Sequence, residues 1–478
     1  MTHEVAYGGL LQERRRVLHG RIVEVLEALA AERLAEQVDR LAHHAVRGEV
    51  WDKALAYGRQ AGIRAAARSA YREAVAYFEQ ALAALAQLSE TRDTLEQAID
   101  LHIDLRNALY PLGEQIRIFD LLRATEALAE RLGDDQRLGR IAGYLCHFFS
   151  GIGEHARAIA AGQRALTLAS TSEAFDIQVA AQALLGSAYY SAGDFRQALD
   201  VSRQVMALLT GEWCYANFGM VSLPAVASRE CVAGCLAELG DFAEATGVGE
   251  EAVRIAEVAE QPYSVAGALR WVGWLYRSQG ALRTAIPILE RSLALSQTIG
   301  PRLFPSTASA LSVAYALAGR AADALPLLNQ MLERLATGSR MPNARVLTGL
   351  SEALLLVGRV DEASALAGRC LALARTHLGS GYQAHAYRLL GEVAMYRDPP
   401  DIAQAEAYYQ EALDLANELG MRPLQAHCHR GLGTLYSSTD QREQARSALS
   451  AAIDLYHTMA MTFWLPQAEA ALAQVEGH

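Results

Sequence analysis

Residues Gly193–Leu209 read GDFRQALDVSRQVMALL, and Gly240–Ala252 read GDFAEATGVGEEA. Each opens on Gly-Asp-Phe, and each sets an alanine five residues after the glycine. That alanine works as a ruler for the chain. Gly153 leads to Ala158, Gly193 to Ala198, Gly240 to Ala245, Gly280 to Ala285, Gly319 to Ala324 and Gly358 to Ala363. Less complete copies are anchored at Ala74, Ala405 and Ala445, and Ile118 takes the place after Gly113. From Ala158 onward the anchors are 40, 47, 40, 39, 39, 42 and 40 residues apart. A period this steady marks a repeat architecture.

Seven residues after the anchors stand Ala81, Ala165, Val205, Ala252, Ser292, Met331, Cys370, Ala412 and Ala452. Seven residues is two helical turns, so anchor and follower share one helix face. Small side chains there let a second helix approach closely; Val205 and Met331 predict looser contacts. About twelve residues before the anchor lies another pattern, Leu185-Gly186 with Tyr189, Val272-Gly273 with Tyr276 and Leu432-Gly433 with Tyr436. Leu390-Gly391 fits it after a two-residue insertion near Pro399 and Pro400. Each unit therefore reads as a first helix, a Gly-Asp turn and a second helix, with glycine ending the first and aspartate capping the second. Pro301, Pro305, Pro342 and Pro423 fall near the starts of first helices, where proline is tolerated. Pro287 and Pro326 share one register inside two second helices and predict slight bends.

The pattern resembles the tetratricopeptide repeat over roughly residues 51–460, with a period nearer 40 than the usual length of about 34. That variant is similar to the arrays attached to bacterial signalling ATPases of the maltose-regulator type. The resemblance implies an all-α, right-handed solenoid of antiparallel helix pairs with a concave face, each pair completing its core against its neighbours. The segments Thr2–Leu29 and Arg33–Leu85 look like the junction that follows the ATPase module in large proteins carrying a class III nucleotide cyclase or a transcription-factor domain. Residues 1–50 are thus expected to form a helical junction, residues 51–460 the array, and residues 461–478 a capping helix. The sequence contains no Gly-x-x-x-x-Gly-Lys-Ser/Thr phosphate loop and no paired metal-binding aspartates. By this resemblance the chain is the regulatory part, and any ATPase or cyclase activity belongs to another domain.

Composition narrows the rest. The 478 residues are 51% hydrophobic and carry a formal net charge of −11, which disfavours a nucleic-acid or anionic-lipid surface. Lys53 is the single lysine, outside any glycine-rich loop. Six scattered cysteines form no Cys-x-x-Cys pair and suit a reducing cytosol. Cys231 and Cys235 share a helix face without further metal ligands. His43-His44 and His427-Cys428-His429 are adjacent residues that point to different faces. No run of about 18 apolar residues is free of charge, and the charged amino terminus is no signal peptide. The stretches GVGEEA from Gly247 and GLGTLY from Gly431 read as repeat helices, and pairs such as Glu250-Glu251 as solvated surface. No nucleophile motif is present. The expectation is a cytoplasmic, non-enzymatic protein without cofactor, metal, nucleic acid or membrane, binding a protein, peptide or small effector. Residues 1–50, with Arg14-Arg15-Arg16, would be a contact for an ATPase domain or, for the arginines, a solvated face.

In tetratricopeptide arrays the concave surface is built from first-helix positions around the Leu-Gly pair. Carried over, the position three before the glycine holds Arg270, Arg388 and Arg430, and the position after it holds Trp274, Glu392 and Thr434. In the weaker copies these places hold Glu230, Thr348, His147 and Glu352. Four residues past the glycine lie Tyr190, Arg277 and Met395. Arginine grips carboxylate or phosphate in two-point geometry, and Trp and Tyr add contact area at low entropic cost. The candidate ligand contacts are therefore Arg270, Trp274, Arg277, Arg388, Glu392, Arg430, Tyr190 and His147. Two readings stay open for the arginines: ligand contact, or pairing with glutamates such as Glu352 and Glu392 on neighbouring helices.

Overall fold

A computed structural model describes residues 12–29, 34, 36–337, 343–376 and 379–477 of the chain. Residues 1–11 of the expected junction, and Pro342, lie outside the described residues. Twenty-three α-helices and no strand occupy the described residues, and none of these helices is long and apolar enough to cross a membrane. The fold is an all-α array of tetratricopeptide-like helix pairs. It divides into two compact units, one of residues 1–141 with 299–302, the other of residues 142–298 with 303–478.

The first unit contains α1 (Gln12–Leu29), α2 (Val38–Arg47), α3 (Trp51–Ala67), α4 (Tyr71–Leu85), α5 (Arg92–Leu112) and α6 (Gln115–Leu132). Gly62 on α3 lets that helix settle on α4: a Cβ there would fall 2.4 Å from the Phe78 ring. Two contacts fold α1 onto its neighbours. Glu27 accepts hydrogen bonds from Lys53 Nζ at 2.7 Å and Tyr57 OH at 2.6 Å, and the Nδ1 atoms of His19 and His44 stand 2.7 Å apart. The helix α7 (Asp135–Ile152) spans the division at residue 141.

The second unit continues with α8 (His155–Thr171), α9 (Phe175–Ala192), α10 (Phe195–Leu208), α11 (Pro224–Leu239), α12 (Phe242–Val258), α13 (Pro262–Gln279), α14 (Leu282–Ile299) and α15 (Phe304–Leu317). It ends with α16 (Ala321–Ala336), α17 (Ala344–Leu356), α18 (Val360–Thr376), α19 (Ser380–Tyr396), α20 (Ile402–Leu419), α21 (Arg422–Ser438), α22 (Arg442–Thr458) and α23 (Leu465–Glu476). A short 3₁₀ turn, Gly211–Tyr215, accounts for the one long spacing of 47 residues.

The alanine ruler is the packing seam. All nine anchor alanines are 0% exposed, and no follower exceeds 2%. Val205 and Met331, expected to be loose contacts, are as tightly packed as the small residues. The glycine of the first helix meets the same seam: a Cβ on Gly273 would lie 2.5 Å from Leu289 Cγ. Gly193, Gly240 and Gly280 close their helices with φ near 90°, where a side chain would be strained. The turn aspartates divide. Asp194 caps α10 by accepting from Gln197 N, whereas Asp241 makes no capping bond and stands 3.7 Å from Arg422. Pro287 and Pro326 lie inside continuous helices.

The repeating tyrosine bonds back to the preceding repeat. Tyr276 donates to Glu250 at 2.7 Å, Tyr315 to Glu290 at 2.7 Å and Tyr436 to Glu406 at 2.8 Å. Glu250 and Glu251 are therefore not plain solvated surface, since Glu251 pairs with Arg229 at 2.9 Å.

Within this unit the array comes round on itself. His385 on α19 reaches Glu238 on α11 at 3.2 Å, although 147 positions separate them. A Cβ on Gly240 would meet Met459, and one on Gly280 would meet Phe463 and Trp464. The first helices α9 to α21 thus face a common interior.

Candidate ligand-binding groove

That interior is a cavity of about 990 Å³, counted out to its mouth. Each first helix presents residues to it at helical spacing. Tyr190 comes from α9, Glu238 from α11, Arg270, Trp274 and Arg277 from α13, and Ser306 and Ser309 from α15. Arg345, Thr348 and Glu352 come from α17, Tyr382, His385 and Arg388 from α19, and His427 from α21.

Five of the eight expected contact residues line the cavity: Tyr190, Arg270, Trp274, Arg277 and Arg388. Glu392 is brought to it through Arg388, whose Nη1 donates to Glu392 Oε1 at 2.6 Å. Arg430 does not line it, and donates to Gln467 Oε1 at 3.1 Å. His147, on α7, also lies apart from the lining.

The pairing reading holds for two of the arginines on this wall. Glu352 joins two of them, accepting from Arg388 Nη2 at 3.1 Å and from Arg277 Nη1 at 3.3 Å. With Glu392 this makes a ladder of alternating charge. Burial pushes the Glu352 carboxyl up, but Arg388 and Arg277 outweigh it and hold it below its ordinary value. Glu238 is balanced in the same way. Burial raises it, while His385 and more distant arginines bring it below the usual range. Tyr190 OH also approaches Glu238, at 3.4 Å.

Arg270 and Arg345 have no such partner. Among the described residues neither forms an ion pair with a carboxylate, and Arg270 Nε is buried without an acceptor. Arg345 is held instead by rings. Its guanidinium carbon stands 4.1 Å from the Trp271 ring centre, 5.1 Å from Tyr190 and 5.8 Å from Trp274. The Tyr190 and Tyr382 phenols lie close enough to act on its charge. Glu230 is the carboxylate that acts on Arg270, and Glu238 the one that acts on Arg345, neither within ion-pair distance. Glu230 does not line the cavity, and its Oε1 is buried with no partner. Burial pushes its carboxyl up to about 7, and Arg270 and Arg345 only partly offset that.

His427 is a neutral imidazole here. Burial drives its pKa well down, helped by Arg388 and Arg430, and its Nδ1 lies 2.8 Å from Tyr456 OH. Among the described residues no group of three or more His, Cys, Asp or Glu side chains is placed to hold a metal ion.

Arg345, His385 and His427 went unread in the sequence although one signal reaches all three. Arg345 stands six before Ser351, His385 six before Gly391 and His427 six before Gly433. That position lies one turn before the arginine position three before the glycine, and so continues the same groove-facing side of the helix. Glu238 carries no such signal, because its role depends on α19 arriving from 147 positions away.

The fold has solved counterparts. A Rap protein complexed with Competence and Sporulation Factor matches with a TM-score of 0.55 and 16% identity, over 77% of this chain and 99% of that one. The Rap conjugation gene regulator of plasmid pLS20, in complex with the Phr* peptide, covers 89% of this chain and 97% of its own at 14% identity and a TM-score of 0.37. Yeast Tom70 covers 88% of this chain and 96% of its own, at 13% identity and a TM-score of 0.35. No family model matches the chain, and no curated protein matches it. At these identities the likeness establishes the fold, a tetratricopeptide-like helical repeat array.

Proposed function

We propose that this chain is a non-enzymatic binding scaffold that receives a peptide or small effector in the cavity of its second unit. The single observation that carries this reading is the cavity itself. Seven repeats converge on it, and its wall mixes aromatic faces with a few charged groups. The Rap protein of similar fold was solved with a bound factor, which supports a ligand-receiving array. A catalytic reading fits less well. The buried carboxylates that line the wall are held below their ordinary value, Glu352 by two arginines and Glu238 chiefly by His385, and Glu230, whose carboxyl is raised, does not line it. Five buried thiols of the six suit a cytoplasmic protein.

The module acts either as a stand-alone peptide-binding adaptor or as the regulatory arm of a bacterial signalling ATPase or nucleotide cyclase. The second reading draws on the junction-like sequence and on α1, whose Val17, Leu18, Val25 and Leu29 are exposed and offer an apolar face to another domain. Occupying the cavity would change how successive repeats stack, and residues 1–50 would pass that change on.

The direct test exposes the whole chain to a pool of random hexapeptides and identifies retained peptides by mass spectrometry. Wild type is expected to keep a defined subset that Ser306→Trp, which fills the cavity from α15, releases. Equal retention by both proteins, or none by wild type, would sink the cavity as the binding site. DNA upstream of the Met1 codon separates the two contexts. An open frame encoding a phosphate loop supports the regulatory arm, and a stop codon with a ribosome-binding site supports the adaptor.

A further inference from the structure

Of the four arginines on the cavity wall, Arg277 and Arg388 are neutralised by Glu352 and Glu392. Arg270 and Arg345 are not, and both line the cavity together with Trp274, whose ring centre lies 5.8 Å from the Arg345 guanidinium carbon. The protein as a whole carries a charge of −11, so leaving two guanidiniums without a carboxylate is not a shortage of acids. Burying an unpaired charge is unfavourable, and such a charge persists where something outside the fold completes it.

The nearby acids do not complete the two arginines. Glu230 stands beside Gly267, on the α13 face that carries Arg270, yet bonds to neither arginine, and burial raises its carboxyl; Glu238, which acts on Arg345 from a distance, is taken up by His385. The aromatic rings hold Arg345 by its face, which leaves guanidinium edge N–H groups for an acceptor. Arginine forks match the oxygens of a carboxylate or phosphate.

We infer that the ligand of this cavity carries an anionic group, carboxylate or phosphate, that seats between Arg270 and Arg345 while its flat apolar part lies on Trp274. This deepens the proposed function and rests on it, because it assigns the ligand's chemistry at the same cavity. The Arg277–Glu352–Arg388–Glu392 ladder is the supporting wall rather than a contact.

The probes are benzoate, phenyl phosphate, benzyl alcohol and benzylamine, titrated calorimetrically into the whole protein. The four share a ring and differ in charge. At least one anion is expected to bind about tenfold more tightly than the alcohol or the amine. Benzoate leading would mark the natural source as an organic acid or peptide carboxylate, and phenyl phosphate leading would mark a phosphoester. Arg270→Met and Arg345→Met should each weaken the better anion about tenfold, and Glu230→Gln should tighten it by removing a competing negative charge. The inference is overturned if neither anion binds below about 10 mM, if the alcohol binds as well as the anions, or if both arginine variants bind like wild type. Ser306→Trp separates the two levels. If it abolishes binding while Arg270→Met and Arg345→Met do not, the cavity reading stands and the anion seat falls. If none of the three changes binding, both fall.

Discussion

Arg388 and Arg270 occupy the same register position, three residues before the glycine of their first helices, and share one cavity wall. Their surroundings differ completely. Arg388 is 6% exposed and clamped by two carboxylates at 2.6 and 3.1 Å. Arg270 has no ion pair and lies 5.0 Å from the Trp271 ring centre; the Nε atoms of both arginines are buried without an acceptor, so the carboxylates make the difference. A repeat fixes where a side chain points, while its neighbours decide whether the charge is paired within the fold. In α19 the residue four positions on is Glu392, one helical turn away on the same face. In α13 the corresponding residue is Trp274.

The harshest way to break the comparison is to remove the centre of the ladder. Glu352→Ala leaves Arg277 facing no carboxylate and Arg388 with one partner instead of two. Breaking a buried ion pair from one side costs about 3–5 kcal/mol, and access from the cavity should lower that to about 2–3 kcal/mol here. Urea unfolding monitored by circular dichroism should show it as a fall in midpoint at constant slope. A loss no larger than that of an exposed pair, about 0.5 kcal/mol, would mean the ladder contributes no stability.

Arg270→Met should act in the opposite direction. It takes out a buried guanidinium that has no partner and leaves a side chain able to pack against Trp271. Unfolding stability is expected to hold or rise by up to about 1 kcal/mol. A loss as large as that of Glu352→Ala would show that Arg270 is structural and would erase the distinction between the two arginines.

The contrast also separates what could be read in the sequence from what could not. The seam was legible because alanine and glycine at fixed spacing are demanded by close helix packing, and each anchor does sit buried there. The groove positions Tyr190, Arg270, Trp274, Arg277 and Arg388 were legible for the same reason, since register fixes direction. The state of each charge was not. Glu352 serves arginines 75 and 36 positions away, and Glu238 meets His385 only because the array comes round on itself. The capping role expected of Asp241 fails on similar grounds. Arg422, arriving from α21, lies within ion-pair distance of that carboxylate. Periodicity describes one repeat and its neighbours, and these contacts join repeats far apart in the chain.

A gentler test uses pH. Glu230 and Glu352 should contribute to stability with opposite sign. Glu230 has its carboxyl raised from the ordinary 4.5 to about 7, so between those values the folded state holds more protons than the unfolded one. Its favourable contribution is complete below 4.5 and is lost as the pH rises to about 7. Glu352 is held below 4.5, so its contribution is present above that value and is lost on acidification through the folded pKa. Glu230→Gln should therefore flatten the decline in stability between pH 4.5 and 7 and leave the acid limb unchanged. An unchanged profile would place the Glu230 carboxyl in contact with water or an arginine after all.

The smallest effect is expected at Arg430, the third arginine of the same register. Its neighbour across the turn is Gln467, the bond is exposed, and the cavity lies elsewhere. Arg430→Ala should shift unfolding stability by no more than about 0.5 kcal/mol, because a neutral partner in water gives little to lose. It should also leave benzoate and phenyl phosphate binding at the wild-type value. That outcome would sharpen the comparison to its simplest form: three arginines at one repeat position, one bound into the fold, one left for a ligand, and one facing solvent. A loss of anion binding in Arg430→Ala comparable to that in Arg270→Met would instead extend the anion seat along α21, and the division of the wall into paired and unpaired ends would have to be redrawn.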